Sequence, residues 1–102
     1  MKLTVHYEYD DHRFFPKDHR GETFIKFENP PFVPATGDKV HIRLEEFLDD
    51  PQVIQAYNDY AEGKVFYAER VHTFIGREET EVIIVLHEET EFRKAFPALV
   101  QP

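Results

Sequence analysis

The chain has neither cysteine nor serine. The first absence removes disulfides and thiolate metal sites, and fits a reducing, cytoplasmic compartment. Together the two absences close Ser–His and Cys–His nucleophilic mechanisms. Glycine occurs four times, at Gly21, Gly37, Gly63 and Gly76. That spacing builds neither a phosphate-cradling loop nor a dinucleotide fingerprint. No long apolar run is present: Val82 to Leu86 is the longest, far below the roughly 20 residues of a membrane span. The opening Met1-Lys2-Leu3-Thr4-Val5-His6 alternates at once and has no apolar leader, which argues against a signal peptide.

Basic charge is also scarce. Twelve Lys and Arg face 20 Asp and Glu, for a net charge of −8. Nucleic-acid binders concentrate Lys and Arg along the contact surface, because phosphate neutralisation supplies most of the affinity. Here the bases are scattered singly, so nucleic acid is disfavoured as a partner. No motif implies a cofactor or a small-molecule ligand. What the chain does have is core material: 41% hydrophobic residues, with ten Phe and five Tyr in 102 residues. That is one domain, residues 1–102, with a well-solvated surface at 31% charged residues.

Alternation predicts most of the elements. From Lys2 to Tyr9, Leu3, Val5, Tyr7 and Tyr9 fall on one face and Lys2, Thr4, His6 and Glu8 on the other. Asp10 to Gly21 reads as a long polar loop holding an aromatic anchor, Phe14-Phe15-Pro16. Thr23 to Glu28 is a second strand, stopped by Asn29-Pro30-Pro31. Turn residues Pro34 and Gly37-Asp38 lead into a third, Lys39 to Leu44, with Val40, Ile42 and Leu44 inward. One helix follows, Pro51 to Glu62: Asp50 suits the N-cap, Pro51 the first turn, and Gly63 the positive-φ position beyond the end. Val65 to Ile75 and Thr80 to Glu88 are the fourth and fifth strands, joined at Gly76-Arg77-Glu78-Glu79. Val82 to Leu86 lacks polar alternation, which marks a central strand covered on both faces. In the tail, Phe92 and Phe96 at i, i+4 suggest a helical turn that Pro97 ends.

The order predicts a mainly β (α+β) fold. It is a five-stranded antiparallel small barrel, SH3-like or OB-like, with one α-helix between the third and fourth strands.

The pattern Val33-Pro34-x-x-Gly37-Asp38-x-Val40, followed by Phe66-x-x-x-Arg70-Val71 and Val82 to Leu86, resembles a group of small uncharacterised bacterial and phage proteins. The resemblance covers residues 33–88. It departs from the group where the helix from Pro51 to Glu62 replaces a tight turn. It implies a small barrel and no activity, because the group has no catalytic motif to carry over.

Three functional readings remain, each against a plainer one. The first is non-catalytic protein–protein contact, by an adaptor or a homodimer, through Phe32, Phe92, Phe96 and Leu99. These apolar residues lie in the rim Pro30 to Pro34 and in the tail. Self-packing of the tail is the competing role. The second is single-stranded nucleic-acid binding on an OB-like surface, with Phe14 and Phe15 stacking on bases and Arg13 and Lys17 meeting phosphates. The loop's charge opposes it: Arg13, Lys17 and Arg20 give +3, and Asp10, Asp11 and Asp18 give −3. The third is a metal site at His12, Asp18 and His19. Their spacing matches no common ligand pair, and Arg13 and Lys17 repel a cation. Acidic runs such as Glu88-Glu89-Glu91 read as solvated surface rather than a hydrolytic pair. No residue is assigned a catalytic role.

Overall fold

In a computed structural model, which describes residues 2–10 and 24–99, the chain forms four strands, with one helix between the second and third and another after the fourth. The strands are β1 (Lys2–Tyr9), β2 (Phe24–Glu28), β3 (Phe66–Ile75) and β4 (Glu79–Glu88). The helices are α1 (Pro51–Ala61) and α2 (Glu89–Ala95), with a 3-10 turn at Leu44–Glu46. The sheet is open and mixed, in the order β2-β1-β4-β3. β2–β1 and β3–β4 are antiparallel, whereas β1 and β4 run parallel with Val5 opposite Val82 and Tyr7 opposite Ile84. β4 is an interior strand, in keeping with its unbroken apolar run.

One face of the sheet carries the main core. Val5, Tyr7 and Tyr9 from β1, Ile25 from β2, Phe66 and Ala68 from β3, and Val82, Ile84 and Leu86 from β4 are all buried there. Val53, Tyr57 and Ala61 close it from α1, spaced four residues apart on one helical face, together with Ile42 and Leu44. The helix starts as its sequence dictates: the Asp50 carboxylate accepts from the Gln52 N–H at 2.9 Å, and Pro51 needs no donor. It ends where Gly63 takes φ +73°. On the opposite face, α2 places Phe92 flat against Tyr67 with ring centroids 5.0 Å apart. Glu88 caps α2 by accepting from the Thr90 N–H.

The expected five-stranded antiparallel barrel is corrected in three respects. Among the described residues the sheet has four strands, it does not close, and its central pair is parallel. The predicted third strand, Lys39 to Leu44, makes only an isolated bridge, Lys39 to Tyr67, before turning into the 3-10 segment. Its alternation is real, since Ile42 and Leu44 are buried and Val40 is packed on the core. Side-chain alternation fixes which way residues point and leaves the backbone partner open. Consequently α1 lies between β2 and β3, rather than between a third and fourth strand. Among the described residues no helix is long and apolar enough to cross a membrane.

Candidate functional site

An apolar cleft of about 390 Å³ opens beside the β2 side of the core, with Tyr7, Phe27, Pro31, Phe32, Ile42 and Phe47 among its walls. The sheet supplies the floor. Tyr7 and Phe27 sit on adjacent antiparallel strands facing the core, with rings edge to face at 5.7 Å. Phe47, just after the 3-10 turn, meets Phe27 edge to face at 4.7 Å. The three rings form a continuous row, a favourable aromatic arrangement in which Phe47 is the most exposed at 41% and Tyr7 is buried. The opposite lip is the segment Pro30-Pro31-Phe32, where Phe32 is 70% exposed.

The segment that follows this lip is held in place by β3. Arg70 donates from Nε to the Pro34 carbonyl at 2.6 Å and from Nη2 to the Val33 carbonyl at 2.9 Å. Its own backbone N–H donates to Thr36 Oγ1 at 3.0 Å. Below it, the Gly37 N–H donates to the Ala68 carbonyl and the Ala68 N–H to the Asp38 carbonyl. Asp38 closes the turn by accepting from the Ala35 N–H at 2.8 Å, and Gly37 takes φ +100° there. The Val33-Pro34-x-x-Gly37-Asp38 stretch and Arg70 are therefore two halves of one clamp. At the cleft rim Arg43 and Glu46 form an exposed ion pair at 3.8 Å. Burial raises the pKa of Tyr7, with Arg70 opposing, so the ring enters the cleft wall as a neutral phenol.

A second cluster lies on the other face. The His87 ring accepts or donates on both sides: Nδ1 is 2.9 Å from Asp10 and Nε2 is 2.8 Å from Glu69. Carboxylates are acceptors only, so satisfying both contacts requires a proton on each nitrogen. The hydrogen bond to Asp10 raises the His87 pKa most, Glu69 adds to it, and partial burial opposes. The result is an imidazolium held as a structural cation, with neither nitrogen open for proton transfer. In the core, the Tyr9 and Tyr57 hydroxyls are 2.7 Å apart, and burial raises both pKa values so that both stay protonated.

Of the residues expected to bind a partner, Phe32 is the most exposed and Leu99 is 53% exposed. Phe96 is half-buried against Phe92 at 4.8 Å, and Phe92 itself is fully buried between α2 and the sheet. The four do not form one surface: Phe92 belongs to packing, and Phe32 belongs to the cleft. Arg13, Phe14, Phe15 and Lys17 of the nucleic-acid reading, and His12, Asp18 and His19 of the metal reading, lie outside the described residues. Among the described residues no group of three or more His, Asp or Glu is placed to hold a metal ion. Tyr7, Phe27 and Phe47 were not singled out from the sequence. For Tyr7 and Phe27 the signal was present only as inward alternation in β1 and β2, and Phe47, at the end of the 3-10 turn, had none. The His87 cluster had no local signal, because Asp10, Glu69 and His87 are joined by strand register.

Comparison with protein-family models, with curated proteins and with solved structures gave no match.

Proposed function

We propose that the chain is a non-catalytic protein–protein interaction domain whose cleft receives an extended, proline- or aromatic-bearing segment of a partner protein. The observation that carries this is Phe32, a large ring left 70% exposed at the lip of an apolar cleft walled by Tyr7, Phe27 and Phe47. Aromatic-lined grooves of this kind suit extended Pro-rich segments, whose preformed backbone loses little entropy on docking. Arg70 fixes the backbone immediately after the lip, at Val33 and Pro34, which limits the ordering needed at the moment of binding. The non-catalytic reading is supported by His87, whose two ring nitrogens are both engaged by carboxylates. A cytoplasmic site, in keeping with the cysteine-free composition, is part of the same proposal.

The test is an array of extended peptides rich in Pro, Phe and Tyr, with hits measured by calorimetry against the parent chain and Phe32→Ala. The expected loss is about tenfold in affinity, equivalent to about 1.4 kcal/mol and typical of a central anchor residue. Peptides that bind both chains equally, or no hits at millimolar concentration, would contradict the proposal.

A further inference from the structure

The β3 strand changes character halfway along. Phe66 to Ala68 are buried, and residues 70–75 are exposed. The reason lies along its outer edge. The segment from residue 36 to residue 40 occupies that edge only as far as Arg70, through bonds at Phe66, Ala68 and Arg70. A bulge between Arg70 and His72 follows. Beyond it the strand stays paired to β4, and its backbone groups alternate between that partner and the outside. Gly76 donates to the Glu79 carbonyl, so Ile75 and Thr73 face outward. Among the described residues nothing bonds to this outer edge. It carries Val71, Phe74 and Ile75, exposed by 41%, 52% and 83%. An apolar edge strand of this kind is a template for another strand.

We infer that this edge pairs with the same edge of a second copy of the chain, antiparallel about a two-fold axis at Thr73. An isologous pair sets each residue opposite its symmetry counterpart. With Thr73 on the axis, Val71 faces Ile75 of the other copy and His72 faces its Phe74. Within one chain His72 and Phe74 already stack at 5.0 Å and 15°. Pairing brings two such stacks side by side at a non-hydrogen-bonded position, where cross-strand side chains are closest. Charge favours this strip over other approaches. Arg70 to Arg77 contain no Asp or Glu, so two chains of net charge −8 meet without carboxylates in the paired stretch. The inference is independent of the cleft, which uses other residues.

Sedimentation velocity of the full chain from 10 µM to 1 mM (on the order of the range for weak strand pairing) tests it. The parent chain is expected to shift from monomer to dimer with concentration. Ile75→Lys places a charge on the edge, and Thr73→Pro removes an outward donor that the fold itself does not use. Both variants should remain monomeric at 1 mM while keeping the parent circular-dichroism spectrum, and Phe32→Ala should dimerise as the parent does. Should either edge variant lose its spectrum, Phe74→Lys is read in its place, at a side chain 52% exposed on the same edge, with at least a fivefold weaker dimer expected. A parent chain that stays monomeric, a dimer that survives the edge variants, a dimer lost with Phe32→Ala, or growth beyond dimer would overturn the inference.

Discussion

Replacing Phe92 by Ala separates packing from binding in the C-terminal region. Phe92 is fully buried, stacked on Tyr67 at 5.0 Å and flanked by Phe96 at 4.8 Å and His87 at 6.2 Å. Truncating a buried Phe to Ala costs about 3–5 kcal/mol through lost transfer energy and the cavity left behind. Here the seven-residue α2 can settle partly into that cavity, which points to the lower end, about 3 kcal/mol. For a domain of this size that is roughly 12–24 °C in Tm, and a large share of a total stability of about 5–15 kcal/mol. Urea unfolding followed by circular dichroism measures it, with Phe32→Ala as the exposed comparison, expected within about 0.5 kcal/mol of the parent. A Phe92→Ala cost under about 1 kcal/mol would refute the packing of α2 on the sheet and return Phe92 to the surface.

Other expectations follow from the two polar clusters. His87 has a folded pKa above its ordinary value of 6.5, so its contribution is complete below that pH and is lost as pH rises through the folded value. Chemical denaturation should therefore show the parent more stable than His87→Gln by about 1–2 kcal/mol near pH 5.5, with the gap narrowing toward pH 9. A gap that is constant or widens with pH would contradict the imidazolium assignment. Tyr9→Phe removes the 2.7 Å contact with Tyr57 and should cost about 1 kcal/mol, read as a lower urea midpoint at unchanged slope.

Much of the framework was legible because local chemistry decided it. Alternation marked β1 and β2, an unbroken apolar run marked β4, and Asp50-Pro51 with Gly63 bounded α1. The hairpin β3–β4 was readable from its turn: counting outward from Gly76-Arg77-Glu78-Glu79 sets His72 opposite Ile83, which is the observed pairing. Simple counting from that turn also puts Ala68 opposite His87. The bulge after Arg70 shifts the pairing, and Ala68 instead meets Leu86. The parallel contact of β1 with β4 could not be read, since it depends on a crossover spanning most of the chain. For the same reason only Phe32 and its proline neighbours signalled the cleft. Its floor comes from Tyr7 and Phe27, which look like ordinary core residues until the strands are paired.

The central claim is that the cleft between the Pro30-Pro31-Phe32 lip and the Tyr7-Phe27-Phe47 row is the binding surface. Amide NMR shifts recorded while a Pro- and aromatic-rich peptide is titrated into the labelled chain test it most directly. The account predicts perturbations confined to the lip, to residues 40–47 and to the strand positions of Tyr7 and Phe27. Perturbations centred on α2 or on the exposed half of β3, with the cleft silent, would contradict it.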